Sequence, residues 1–384
     1  MKYDVCVIGG CGHIGLPLAL CFAKEKKRVA IVDVNEASVR MVRAGKMPFR
    51  DEAADDILGD VLRGGYLRVE TDPELISESS FVIFVLGTPV SAHLYPTYSN
   101  FYKALRKYMV YFRNGQTIVF RSTLFPGTMR LIQRMFAEKK LAVSLAFCPD
   151  RTAEGFAVKE IYELPQIVSA FDEVSLERAK ELFSVFTKET VVLEPLEAEF
   201  AKLFANVWRY IKFAISNQFY MIASDSDLDF YRVYNAMTYQ YPRLSDMPKA
   251  GLAAGPCLFK DTMQLASFTE NKLFLGHAAM MINEGLPSFL INRLKKRLPL
   301  ETKTVGILGM AFKAESDDHR ESLAFKLLNI LERDCKAVYI TDPYLHDERI
   351  LPAEEVIQKS DILIIGAPHK QYASLNLCGK VVVD

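Results

Sequence analysis

Residues 3–8, YDVCVI, form a short apolar run rich in β-branched side chains, and the string GCGHIG, Gly10 to Gly15, follows directly and opens the helical pattern LPLALCFAKE. A strand, a glycine turn and a helix in that order leave few folds open. Gly10 permits the tight turn, Gly12 lets the backbone approach a pyrophosphate, and Gly15 allows the helix to pack closely. The helix N-terminus offers its unpaired N–H groups to an anion. His13 and Ile14, inside the turn, are counted with this cofactor loop. A second strand, RVAIVDV, ends near Asp33, 18 residues after Gly15. A carboxylate there accepts hydrogen bonds from a ribose diol and repels a 2′-phosphate, so NAD and not NADP is the expected cofactor.

A chain of 384 residues is too long for one core and implies two or three domains. Half the residues are hydrophobic, and 47 basic side chains balance 47 acidic ones, so no net field favours nucleic acid or an anionic membrane. The expected partners are small molecules and further copies of the chain. The seven cysteines, at 6, 11, 21, 148, 257, 335 and 378, form no CxxC pair. That usage predicts neither a disulfide framework nor a metal site, and suits the cytoplasm. Cys6 and Cys21 fall in strand and helix core patterns. No run approaches the ~18 apolar residues of a membrane span, and a strand opening at residue 3 leaves no room for a signal peptide.

Strand-like runs alternate with helical stretches as far as about residue 193. FVIFVLGTPV, GQTIVFRSTLFPGT, AVSLAFCPD and PQIVSAF each precede a longer amphipathic or polar stretch, the rhythm of a parallel sheet. Thr88, Ser122, Thr123, Asp150 and Glu154 then lie at the carboxyl ends of strands, where doubly wound sheets bind ligands. Residues 197–222 have apolar positions at helical spacing without Gly or Pro, which predicts one long helix. After LKKRLPLETK the rhythm restarts with TVGILGMAF, AVYITDP and DILIIGAPH. The expected fold class is therefore α/β: two Rossmann-like, doubly wound parallel-sheet domains, 1–193 and 299–384, joined across 194–298 by a long central helix and a helical dimerisation region.

One segment points to covalent chemistry. GPCLFKD, Gly255 to Asp261, places Cys257 three residues before a lysine–aspartate pair. A thiol is a strong nucleophile only as thiolate, and an ammonium such as that of Lys260 favours that form. The bland alternative is a cysteine buried as a small core hydrophobe.

Taken together, GCGHIG with Asp33, LGTPV, RSTLFPGT, CPDRTAEG, EAEFAKLFANVWRY, GPCLFKD, GMAFKAESDDHRES and the TDP after the last domain's second strand resemble the UDP-glucose/GDP-mannose dehydrogenase family over essentially the whole chain. The resemblance implies an N-terminal NAD domain, a central helix that builds a dimer interface, and a C-terminal nucleotide-sugar domain. The implied reaction oxidises a sugar's primary alcohol to a carboxylate with two NAD and one water.

The residues make chemical sense of such a reaction. Two hydride transfers at one carbon need a way to make an aldehyde a hydride donor again. Cys257 attacking the aldehyde gives a thiohemiacetal, whose loss of hydride leaves a thioester for water to hydrolyse. Lys202 suits the stabilisation of alkoxide character in the first step, and Asn206, one helical turn on, can donate to the same oxygen. Without the family context both read as helix-surface residues. By resemblance, Asp261 assists proton movement and Thr123 helps order the catalytic water. Asp150 stands where the family carries glutamate, an arm shorter by roughly 1.5 Å. Glu154 matches a residue near the nicotinamide and Arg320 one that contacts the cofactor. Phe312 and Lys313 match positions that hold the nucleotide sugar, together with Lys249 and Gly251. Arg243, in YPRLSD, resembles an arginine that completes the neighbouring subunit's sugar site in a homodimer. Trp208 and His369 read as core and loop.

RST before the PGT turn and CPDR resemble the branch acting on UDP-N-acetylhexosamines such as UDP-N-acetylmannosamine, whereas the KD pair leans towards UDP-glucose. Two other readings stand beside these. One is a non-catalytic dinucleotide-binding scaffold, which would not need the thiol, lysine, asparagine and aspartate all present. The other is an ordinary two-electron dehydrogenase, which would need no cysteine.

Overall fold

The computed structural model describes residues 2–383 apart from Pro89, residues 92–96 and Ala254. Among the described residues the chain divides into two compact units, Met1–Phe204 and Ala205–Asp384.

The first unit holds an eight-stranded sheet: β1 (Tyr3–Ile8), β2 (Val29–Val32), β3 (Leu67–Glu70), β4 (Ser79–Phe84), β5 (Thr117–Phe120), β6 (Ser144–Phe147), β7 (Gln166–Ala170) and β8 (Thr190–Leu193). Their order is β3-β2-β1-β4-β5-β6-β7-β8. The first six follow the 3-2-1-4-5-6 order of dinucleotide folds, with the switch point between β1 and β4. Alternate residues feed opposite layers: Val5, Val7 and Ile31 pack on one face, Cys6, Ile8 and Val32 on the other. Helix Gly15–Lys24 is buried from Gly15 to Ala23, which explains its nearly unbroken apolar sequence. The sheet is not parallel throughout, because β7 pairs antiparallel with β6 and parallel with β8. The helix between β6 and β7 has 7 residues, Ala157–Glu163. At ~1.5 Å per residue it is too short to carry the chain back along the sheet for a parallel crossover.

The expected long helix runs from Pro195 to Asp225, 31 residues, with proline at its first position. The boundary between the two units falls inside it, at 204/205. Trp208 is not core: it is 57% exposed, on a face shared with exposed Ile215 and Ile222, spaced by seven residues.

In the second unit a four-stranded parallel sheet, β9 (Thr304–Leu308), β10 (Ala337–Thr341), β11 (Ile362–Ile365) and β12 (Val381–Val383), runs β10-β9-β11-β12. Its switch point lies between β9 and β11. Val305 and Ile307 pack against Leu327 and Leu331 of helix Leu323–Asp334, while Leu308 and Leu363 face Val356 and Tyr372. The segment AAMMINEGLPSFL lies in helix Phe274–Arg297, which accommodates a buried Pro287.

Candidate active site

In the first unit the cofactor loop leaves β1 through Gly9, which has φ +73° and whose missing Cβ would collide with the Val85 carbonyl. At Gly10 a Cβ would stand 2.8 Å from Ile31, and at Gly15 2.7 Å from the Gly10 backbone. The fold therefore demands these three glycines. At Gly12 the nearest atom to such a Cβ is the Gly9 carbonyl at 3.9 Å. Packing does not require that glycine, and the open space at this position is what a pyrophosphate-binding turn needs. Helix Gly15–Lys24 begins beyond Ile14 with no side-chain cap and no acid in its first turn, leaving its N-terminal dipole for an anion. Asp33, 9% exposed, accepts Cys11 N–H through Oδ2 and Asn35 N–H through Oδ1, each at 2.9 Å. Arg40 and Arg43, the cations of the next helix, pair with Glu36 and Glu70, which suits a 2′-hydroxyl better than a 2′-phosphate. These residues fit NAD.

Strand ends supply the rest of this side. Ser122 Oγ accepts Leu86 N–H at 2.7 Å, and Thr88 Oγ1 donates to the Thr123 carbonyl at 2.8 Å, so the loops after β4 and β5 are tied together. His13 stacks on Phe49 with ring centroids 4.1 Å apart, and its Nδ1 lies 3.1 Å from Glu154 Oε1. Asp150 is enclosed: Arg121 Nη2 donates to it at 2.9 Å and Thr152 Oγ1 at 3.0 Å. Both members of the Arg121–Asp150 pair are buried. Sequence reasoning passed over Arg121, although it stands at the end of β5, one residue before Ser122. It also passed over Glu199, 1% exposed on the central helix, which accepts Gly127 N–H at 2.6 Å and Met129 N–H at 2.7 Å and so caps helix Thr128–Glu138 after the PGT turn. Burial pushes this carboxyl up to about 7, against the pull of those N–H groups. Half-buried Lys202 lies one turn further along the same helix.

The second unit carries the thiol. Cys257 is exposed and occupies the N-cap position of helix Leu258–Phe268. Cys6, Cys11, Cys21 and Cys148 are buried instead, and burial pushes their thiols up to about 12. Asp261, fully buried, accepts Asn206 Nδ2–H at 2.6 Å, and Lys260 Nζ stands 2.9 Å from its other oxygen. The asparagine read as a surface residue on sequence grounds alone is 5% exposed. Phe312 seats its ring against Gly255, which has φ +106° and whose added Cβ would stand 2.6 Å from that ring. Gly251 N–H donates to Asn217 Oδ1 at 2.8 Å, and Lys249 Nζ stands 5.8 Å from the Tyr231 ring. A cavity of ≈ 40 Å³ beside Gly251 is lined by Tyr220, Tyr231, Leu252, Leu286, Ile364 and Val383. Lys313 lies 5.7 Å from the Phe312 ring, Arg320 is engaged by Asp318 through Nε at 2.9 Å, and exposed Arg243 donates to the Tyr241 hydroxyl at 3.2 Å. His369 lies in the loop between β11 and the short helix Lys370–Ser374, yet it is 2% exposed and hydrogen-bonded within the second sheet's switch region.

Sequence models describing the UDP-glucose/GDP-mannose dehydrogenase family match almost the whole chain: its NAD binding domain at residues 3–187, its central domain at 196–284 and its UDP binding domain at 306–384. The chain belongs to that family. It is thus an NAD-dependent UDP-sugar dehydrogenase. A UDP-N-acetyl-D-mannosamine dehydrogenase of Methanocaldococcus jannaschii is 28% identical over 381 residues, covering 97% of this chain and 87% of the relative. The structure of a UDP-D-ManNAc dehydrogenase from Pyrococcus horikoshii superposes with TM-score 0.89 at 27% identity, covering 97% of this chain and 91% of that one. A UDP-glucose dehydrogenase structure from Pyrobaculum islandicum gives TM-score 0.89 at 26% identity, covering 100% and 94%. Among the described residues, no helix of this dehydrogenase is long and apolar enough to cross a membrane.

Proposed function

We propose that this dehydrogenase oxidises the primary alcohol of a UDP-N-acetylhexosamine, first of all UDP-N-acetyl-D-mannosamine, to the uronic acid through a covalent intermediate on Cys257. The observation that carries the mechanism is an exposed thiol at a helix N-cap followed by a buried aspartate held by Asn206 and Lys260. NAD, when bound, supplies the hydride acceptor for both oxidations. Lys202 stabilises alkoxide character at the alcohol oxygen, and Asn206 donates to that oxygen. The Cys257 thiolate adds to the aldehyde carbon, and the resulting thiohemiacetal, on losing hydride, becomes a thioester. Water ordered by Thr123 cleaves it to carboxylate and regenerates the thiol, with Asp261 accepting a proton. A part for Asp150 in hydrolysis requires Arg121 to release it. On the cofactor side, Gly10, Gly12, His13, Ile14 and Gly15 hold the pyrophosphate, Asp33 the ribose, and Thr88, Ser122, Glu154 and Arg320 the remainder. Phe312, Lys313, Lys249 and Gly251 hold the sugar nucleotide.

The N-acetylhexosamine is supported by the relatives named as UDP-N-acetyl-D-mannosamine dehydrogenases. The Pyrobaculum UDP-glucose dehydrogenase, equal in TM-score, supports UDP-glucose as the second reading. The exposed apolar face Phe204, Trp208, Ile215, Phe219 and Ile222 of the central helix, one stripe at helical spacing, supports a homodimer, with Arg243 completing the partner's sugar site. The chain is read as three domains, 1–193, 194–298 and 299–384, and cysteines spread without CxxC pairs suit the cytoplasm. The test is a panel of UDP-sugars with NAD, scoring NADH formed per sugar consumed. Two NADH per UDP-N-acetylhexosamine support the reading. One NADH, or a preference for UDP-glucose, overturns the mechanism or the substrate respectively.

A further inference from the structure

His369 carries no part in the chemistry above, yet both its ring nitrogens are committed. Glu315 N–H donates to Nδ1 at 3.0 Å, which makes Nδ1 an acceptor and puts the ring proton on Nε2. Nε2 then donates to Asp342 Oδ2 at 3.2 Å. The ring stands edge-on between Tyr344, with centroids 5.0 Å apart, and Tyr372, at 5.5 Å. Asp342 Oδ2 also accepts Met310 N–H at 2.7 Å and Ala311 N–H at 2.9 Å. One imidazole therefore acts on both ends of the segment 310–315, through Asp342 at its start and directly at its finish.

That finish is an unfavourable conformation. Glu315 has φ +58°, a left-handed geometry that a non-glycine residue keeps only when its surroundings hold it. The holding contacts are His369 itself, Lys370 N–H to Glu315 Oε1 at 2.8 Å, and Tyr344 O–H to Oε2 at 3.1 Å. Between the two anchors lies Phe312, whose ring fills the space over Gly255, two residues before Cys257.

We propose that His369 is a positioning residue for the sugar-nucleotide half of the reaction: by bridging Asp342 and the Glu315 backbone it fixes segment 310–315, and through Phe312 seated on Gly255 it sets where Cys257 stands. The proposal rests on the reading of Cys257 as nucleophile, but its test does not need the sugar to be known.

In the full-length protein, His369→Ala, His369→Asn and His369→Gln are compared with wild type by three readouts. These are the iodoacetamide alkylation rate of the Cys257 peptide by mass spectrometry, UDP affinity by calorimetry, and NAD affinity. Loss of the two hydrogen bonds in His369→Ala is expected to weaken UDP roughly tenfold and change Cys257 alkylation severalfold, with NAD affinity within about twofold. His369→Asn, whose side-chain oxygen can replace Nδ1 as acceptor for Glu315 N–H, should recover much of both effects. Unchanged UDP affinity and Cys257 alkylation in His369→Ala, whatever its melting temperature, would overturn the proposal by reducing His369 to a packing residue. Should His369→Ala not fold, the same two readouts on His369→Phe, which keeps the ring's bulk without either hydrogen bond, decide: wild-type values refute the proposal, and the changes expected of His369→Ala support it. A chain that oxidises no UDP-sugar would refute the proposed substrate without touching these readouts.

Discussion

Gly9 and Gly309 end the first strands of the two sheets in the same way. Each has positive φ, +73° and +93°, and each N–H donates at 2.8 Å to the end of the neighbouring strand, at Val32 and Thr341. Two residues on, Cys11 and Ala311 donate their N–H groups at 2.9 Å to Asp33 and Asp342. Two residues past each carboxylate, Asn35 and Tyr344 donate to Oδ1 at 2.9 Å. From there the two units diverge. In the first, a helix starts at Gly15 with an uncapped N-terminus, and Asp33 accepts the N–H groups of Cys11 and Asn35. In the second, the N-cap Ser322, whose own hydroxyl accepts Ala324 N–H, comes 13 positions after Gly309. Asp342 accepts N–H groups from Met310, Ala311, Tyr344 and Leu345 and the ring proton of His369. One scaffold thus leaves an uncapped helix end or builds a sealed anchor, depending on what closes the helix end and the carboxylate.

The strongest way to break this comparison is to remove both carboxylates. Asp342→Ala strands several buried donors at ~1–3 kcal/mol each, and should cost at least about 3 kcal/mol in urea unfolding, whereas Asp33→Ala strands only the N–H groups of Cys11 and Asn35 and should cost about 1–2. Equal losses would mean that Asp33 is as structural as Asp342. A smaller effect is expected at the turn itself. Gly12→Val should leave the fold intact and weaken NAD binding by roughly a hundredfold, because its side chain enters space the chain leaves open. Calorimetry with NAD checks this, and unaltered affinity would remove the pyrophosphate from that position. The mildest change concerns cofactor choice: Asp33→Ala should narrow the preference for NAD over NADP by about tenfold in kcat/KM, as one like-charge contact is lost. A preference that stays put would assign discrimination elsewhere.

Much of this was legible in the sequence because its signals are local. GCGHIG constrains backbone within six residues, and the glycine-free periodicity of 197–222 is a property of one helix, so both emerged where expected. The position of Asp33 just after β2 was legible because its distance from the turn is fixed by one strand–helix–strand unit. Arg121 and Glu199 escaped because their partners, Asp150 and the PGT turn, lie 29 and about 70 residues away. No spacing rule connects such pairs. Trp208 was misread because periodicity identifies an apolar face without saying what covers it.

The sequence by itself determined the strand–turn–helix, the NAD-type carboxylate, the alternation of two sheets about a long helix, and the thiol beside its lysine–aspartate pair. All follow from contacts within about one supersecondary unit. Only the tertiary structure decided which helix end stays uncapped and which carboxylate is sealed, that β7 reverses direction, and that His369 is a buried bridge. Those outcomes depend on which distant donors a buried group meets, since a buried carboxylate or imidazole must be paired by whatever the fold brings beside it.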